Sequence, residues 1–147
     1  MAEAQITGRA DRRRLIDVDV EAAERGLRGH VETENALAAA LRQRGIAPLA
    51  PAAGEPLFDL AWHFDEHLYV AEVKSTTATN QERQLRLGLG QVLRYCSLLA
   101  PAGASVRAVL VPERAPIDET WAATCAAHDV VLLYPPALDD QLETLLR

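Results

Sequence analysis

Apolar and polar positions alternate along the chain with two periods, and the switches between them mark out the elements. From Asp19, expected as an N-cap, a helical period runs to Arg44 and is stopped by Gly45. At 100° per residue, Ala23, Leu27, Val31, Leu37, Ala38 and Leu41 fall on one stripe, which predicts a core-facing surface. Glu34 lies inside that stripe and Glu32 on the opposite, solvated side. Residues 45–56 are too rich in Pro and Gly for a central element, although 46–49 has room for a short edge strand. Residues 57–64 and 67–75 are dominated by strand formers and predict a hairpin turning at Asp65-Glu66.

A second helical period begins after Thr79 or Asn80, continues to about Ala100, and ends at Pro101 and Gly103. Its core stripe is Leu85, Leu89, Val92, Cys96 and Leu99. Then follow a strand at 105–111, a helix at 118–128, a strand at 130–134 and a terminal helix at 138–146. Strands apolar on both faces and alternating with helices require a sheet covered on both sides, so the fold class is α/β. Residues 1–18 are expected to form a flexible basic N-terminal segment, and 19–147 a single domain.

Composition narrows the class. The 147 residues are 49% apolar and carry a formal net charge of −6, which excludes a uniformly basic nucleic-acid coat. Two cysteines, Cys96 and Cys125, make no disulfide framework, and a reducing, cytoplasmic setting is the expectation. No apolar run approaches the roughly 20 residues that span a bilayer, so no membrane partner is expected. The chain has a single lysine, Lys74.

The hairpin register brings charge together. A symmetric turn at Asp65-Glu66 pairs positions whose numbers sum to 131, which sets Asp59 opposite Glu72, with Lys74 two residues on along the same face. Opposed carboxylates repel unless a cation compensates them. A hard divalent ion, Mg²⁺ or Mn²⁺, held by Asp59, Glu72, the Val73 carbonyl and waters is the simplest compensation. The alternative is an Asp59–Lys74 salt bridge at a strand end with Glu72 in solvent. Glu34, a carboxylate in an apolar stripe, favours the cation, because burying it unpaired is costly. A purely structural domain would instead keep Glu34, Asp59 and Glu72 more than about 10 Å apart, too far to share one ion.

Glu34, Asp59, Glu72-Val73-Lys74 and the following Gln91-Val92-Leu93-Arg94-Tyr95 resemble the PD-(D/E)XK nuclease superfamily, with the QxxxY signature of its RecB-type members. The resemblance covers about residues 30–134, with Phe58 in place of the proline of the motif's name. It implies a three-layer α/β/α restriction-endonuclease-like fold with a central mixed sheet of four to five strands. It also implies a Mg²⁺- or Mn²⁺-dependent nuclease acting on DNA in repair, recombination or defence. By the same resemblance Glu34, Asp59 and Glu72 organise the metal, Lys74 is the catalytic lysine, and Gln91 and Tyr95 support Lys74 or contact the DNA backbone. RecB-type members often carry a metal-binding histidine on the first helix. His30, one turn before Glu34, stands at that place, although a lone histidine there also reads as a surface or capping residue. His63, on the hairpin face of Asp59, is assigned to packing or to support of the site.

Gln84, Gly88, Gln91 and Tyr95 form a second stripe beside the core stripe of their helix. Gly88 and Gly90 weaken a helix interior by roughly 1 kcal/mol each, which calls for either a close approach by a partner or tight packing on the sheet. Residues 74–94 carry Lys74, Arg83, Arg86 and Arg94 against Glu82 alone, a locally basic stretch next to the acids. Arg83, Arg86 and Arg94 are therefore the candidate contacts to a phosphate backbone. No aromatic platform points to base reading, so specificity is expected to be weak or to come from a homodimer or a partner protein. The competing reading is a nuclease-like domain that binds nucleic acid or a protein partner without cutting.

Overall fold

The computed structural model describes residues 12–101 and 104–147. Helix α1 (Arg12–Gln43) leads into the hairpin strands β1 (Leu60–Phe64) and β2 (His67–Lys74), followed by α2 (Gln81–Leu99) and β3 (Ser105–Pro112). Helix α3 (Thr120–Ala127), strand β4 (Val130–Leu132) and helix α4 (Leu138–Leu145) complete the chain. The strands form one mixed sheet in the order β1-β2-β3-β4, with β1 antiparallel to β2 and the other two pairs parallel.

Each face of the sheet carries helices. Leu37 and Leu41 of α1 and Leu138 and Leu142 of α4 pack with Trp62, Tyr69, Ala71, Val73, Val109 and Val111 in one core. On the other face Leu85 and Val92 of α2 and Trp121 and Cys125 of α3 pack with Ala108, Leu110 and Val130. Odd-numbered residues of β2 thus face α1, while Val70, clustered with Phe58, Ala61 and Tyr95, faces α2.

The hairpin register is the expected one: Phe64 pairs with His67 and Leu60 with Ala71. Asp65 takes φ +50 at the turn, a left-handed conformation that Asp tolerates. The edge strand expected at 46–49 reduces to one bridge, Leu49 with Ala61, through two backbone bonds of 2.7 and 2.9 Å. Pro48, which has no N–H, limits it there. Gly45, at φ +74, ends α1, and the N–H of Ile46 reaches back to the carbonyl of Leu41 at 3.0 Å.

Two expectations about α1 are corrected. Asp19 is not an N-cap, because the helix is already formed at Arg12 and nothing between Arg12 and Gly45 breaks it. Of the segment expected to be flexible, 12–18 is helical and 1–11 lies outside the described residues. Ala23, Leu27 and Val31 are exposed, and only the C-terminal part of the predicted stripe, Leu37, Ala38 and Leu41, is buried. The cause is length: 32 residues of helix extend about 48 Å, whereas the eight residues of β2 span about 26 Å, so α1 outruns the sheet.

Candidate metal and phosphate site

The hairpin register carries one residue past β1, so that the Asp59 N–H donates to the Ala71 carbonyl at 3.2 Å and Asp59 stands opposite Glu72. One Asp59 carboxylate oxygen, Oδ2, accepts the N–H of Val73 at 2.7 Å. Its other oxygen, Oδ1, lies 3.2 Å from Nε2 of His30, and the same nitrogen is 3.2 Å from Oε2 of Glu34. One turn of α1, crossing the start of β1, therefore delivers both His30 and Glu34 to Asp59. The ligand atoms of the three residues all lie within 4.8 Å of one another. Glu34 and Asp59 also share the wall of a cleft of about 180 Å³.

Glu72 completes the acidic group from the sheet. It is 4% exposed; Oε1 is 3.0 Å from Nζ of Lys74, and Oε2 is buried without a hydrogen-bond partner. The alternative salt bridge is thereby corrected: Lys74 pairs with Glu72 and not with Asp59, and Glu72 is not in solvent. Alternation along β2 puts both side chains toward α2, where Lys74 lies across Gly88. Gly88 thus serves packing against Lys74 and Leu110, and Gly90 faces open space. The wide separation of Glu34 and Asp59 that a purely structural domain would show is absent.

Protonation follows the geometry. Burial and the Asp59 charge push Glu72 up to about 7, only partly opposed by Lys74. Burial would raise Asp59 too, but the hydrogen bonds from His30 and Val73 prevail and hold it below the ordinary carboxylate value. Its hydrogen bond to Asp59, against the opposing effect of burial, raises His30 above an ordinary histidine. Tyr95 is raised by burial and then by the Glu72 and Asp59 charges, which places its hydroxyl in the field of the acids. Its ring packs with Phe58, Ala61 and Val70. Gln91, one turn before it, has a buried Oε1 without a partner.

Val73 supplies its N–H to Asp59, so its nominated role as a ligand turns on its carbonyl alone. His63 is exposed and lines a groove with Leu68 and Leu99, outside the acidic group. The three arginines lie within about 80° of one another round α2, Arg83 and Arg94 about 100° from the Gln84–Gly88–Gln91–Tyr95 stripe and Arg86 about 170° from it. There Arg86 is held by Glu82 at 2.9 Å, and Glu82 also accepts from the Trp121 indole at 2.9 Å. Arg86 is thus turned away from the acids.

A further network was not foreseen. Arg25 Nη2 donates to the Thr76 carbonyl at 3.0 Å and lies 3.1 Å from Glu113 Oε2, which also accepts the Thr76 N–H at 2.9 Å. The N–H of Glu113 in turn donates to the Lys74 carbonyl at 2.9 Å. A Cβ on Gly29 would collide with the Glu113 carboxylate, and one on Gly26 would come 3.3 Å from Ser75 Oγ. Two glycines three apart inside a helix are the signal in the sequence for such a close approach.

His30, Glu34 and Asp59 offer one nitrogen and carboxylate oxygens around a common point, with Glu72 beside Asp59, a donor set that suits a divalent cation. No family model, no curated protein and no solved structure matches the chain.

Proposed function

We propose that this protein is a metal-dependent nuclease of the PD-(D/E)XK type, with a restriction-endonuclease-like fold, hydrolysing phosphodiester bonds in DNA during repair, recombination or defence. The carrying observation is that His30, Glu34 and Asp59 bring ligand atoms within 4.8 Å of one another, with Glu72 beside Asp59 and the sole lysine 3.0 Å from Glu72. The strand that the superfamily carries before the Asp-bearing strand is reduced here to the single bridge at Leu49, a departure from its pattern.

When ionised, Glu72 has a buried Oε2 without a partner beside the Asp59 charge, so the pair needs either the proton that Glu72 retains or a cation in its place. Glu34, Asp59, Glu72 and His30 would hold Mg²⁺ or Mn²⁺, which when bound supplies an acidified water and a Lewis acid for the scissile phosphate. Val73 fixes the Asp59 carboxylate through its N–H. Lys74 presents an ammonium that can hydrogen-bond a phosphate oxygen as charge builds or exchange a proton with the attacking water, which a guanidinium effectively cannot do. Gly88 gives the lysine stem its path, and Gln91 and Tyr95 line the same side of α2.

Labelled single-stranded, double-stranded and branched DNA, incubated with Mg²⁺ or Mn²⁺, tests the reading. Cleavage by the wild type that is lost in Asp59→Ala and Lys74→Ala supports it. Equal behaviour of all three proteins would sink it.

One observation favours a second reading, a nuclease-like domain that binds without cutting. Lys74 already neutralises Glu72, and a protonated His30 bridges Asp59 and Glu34, so the cluster can balance its charge without an ion. Mn²⁺ titration separates the two: a saturable site lost in Glu72→Ala belongs to the nuclease, and its absence belongs to the binding domain.

A further inference from the structure

A cleft of about 460 Å³ opens between α1 and the segment joining β2 to α2. It begins at Ser75, the residue after Lys74, and runs along α1 beside Gly26, one helical turn and roughly 6 Å from His30. Its ten lining residues include two arginines, three hydroxyl side chains, two carboxamides and no carboxylate. In a chain of net charge −6, a cleft free of acids beside an acidic cluster is a distinct electrostatic environment.

The walls are held in place. Arg25 is tied to Glu113 and the Thr76 carbonyl, and Gly26 leaves room for Ser75. The Thr77 N–H donates to Asn80 Oδ1 at 2.7 Å and the Asn80 N–H to Thr77 Oγ1 at 3.1 Å, while Gln84 Nε2 donates to the Ser75 carbonyl at 3.0 Å. Because Glu113 cancels the charge of Arg25, the net positive charge rests on Arg83, which is exposed and makes no ion pair among the described residues. Arg86, three residues on along α2 and about 60° round it from Arg83, is spent on Glu82.

We propose that this cleft is a phosphate subsite, binding a backbone phosphodiester of the nucleic-acid strand as it leaves the acidic cluster, with Arg83 as the cation and the Ser75 and Thr79 hydroxyls as donors. The chemistry fits: one mobile guanidinium forks onto two phosphate oxygens, and small hydroxyl donors complete the shell without reading a base. The proposal rests on the phosphodiesterase reading of the cluster for its direction, but its test does not depend on cleavage.

The test is fluorescence anisotropy of a labelled oligothymidylate in EDTA across a salt series. Wild type is expected to bind in a salt-dependent way. Arg83→Ala should weaken binding several-fold and lower the salt slope by about 0.7, the value of one single-strand phosphate contact. Arg83→Lys should retain most of the affinity and Arg86→Ala should stay within about twofold of wild type. Absent wild-type binding, or equal losses in Arg83→Ala and Arg86→Ala, would overturn the subsite. If binding depends on Arg83 but no metal supports cleavage, the subsite stands and the nuclease reading falls. If cleavage is intact and Arg83→Ala changes neither binding nor KM, the subsite falls alone.

Discussion

Gly88 and Lys74 are in contact because one of them has no side chain: a Cβ on Gly88 would stand 2.9 Å from Cγ of Lys74 and 2.7 Å from Cδ1 of Leu110. Helix α2 can therefore lie close enough to β2 for the lysine stem to run beneath it toward Glu72. Gly88→Ala is expected to destabilise the fold by about 1–3 kcal/mol through overpacking, against a helix-propensity gain of about 1 kcal/mol or less. Gly90→Ala meets nothing within 4 Å and should stabilise by about 0.5–1 kcal/mol. Urea unfolding of both variants checks the opposite signs. If Lys74 is the catalytic lysine, Gly88→Ala also lowers cleavage and Gly90→Ala does not.

Glu72 and His30 make the metal-free protein sensitive to pH in one direction. Glu72 rises from an ordinary 4.5 to about 7 through burial and the Asp59 charge, so the folded state keeps a proton that the unfolded chain releases. Its contribution therefore falls as pH rises from about 5 to 7, by on the order of 3 kcal/mol at most. His30, raised by its bond to Asp59, adds stability that is present below 6.5 and lost as pH climbs through its folded value. Asp59, held low, matters only in acid, where its stabilisation is lost as pH falls through its folded value. In EDTA the melting temperature should drop between about pH 5 and 8, with a shallower drop in Glu72→Gln. Because a cation competes with these protons, stabilisation by added Mn²⁺ should grow over the same interval. A flat EDTA profile would contradict the assignment.

Legibility differed by the kind of interaction. The hairpin register and the Asp59–Glu72 opposition followed from a two-residue turn, since a symmetric turn leaves no freedom in the pairing. The end of α1 at Gly45 was equally local. His30 was not decidable, because its role depends on where α1 crosses β1, and that crossing is set by packing of Leu37 and Leu41 far along the helix. A net count of charges over residues 74–94 does not show that the one acid, Glu82, is spent on Arg86 in particular. The N-terminal half of α1 misled for another reason: an apolar stripe shows which face is apolar, not whether anything covers it.

Leu27 and Leu41 lie on the same predicted stripe, yet Leu27 is 66% exposed and Leu41 is fully buried. Leu27→Ser should change stability by no more than about 0.5 kcal/mol, while Leu41→Ala should cost about 2–5 kcal/mol. Chemical denaturation of the isolated chain measures both. A Leu27→Ser loss comparable with that of Leu41→Ala would mean that this part of α1 is covered in solution.

Glu113 joins three elements around the end of the lysine-bearing strand. It accepts from Arg25 of α1 and from the Thr76 N–H beyond β2, and its own N–H donates to the Lys74 carbonyl from the end of β3. Glu113→Ala leaves the Thr76 N–H and the Arg25 guanidinium without their acceptor, at an expected cost of about 1–3 kcal/mol. Glu113→Gln keeps an acceptor for Thr76 and should lose less. Arg25→Ala should cost less still, because the side chain of Arg25 is 37% exposed and solvent screens its pairing. The double variant should fall short of the sum of the single losses, since the residues share one interaction. His30 lies five residues along α1 from Arg25, so loosening this contact also loosens the approach of His30 to Asp59. Glu113→Ala should therefore weaken Mn²⁺ binding measured on the folded protein, and strict additivity with unchanged Mn²⁺ affinity would show that the contact holds neither the helix nor the site.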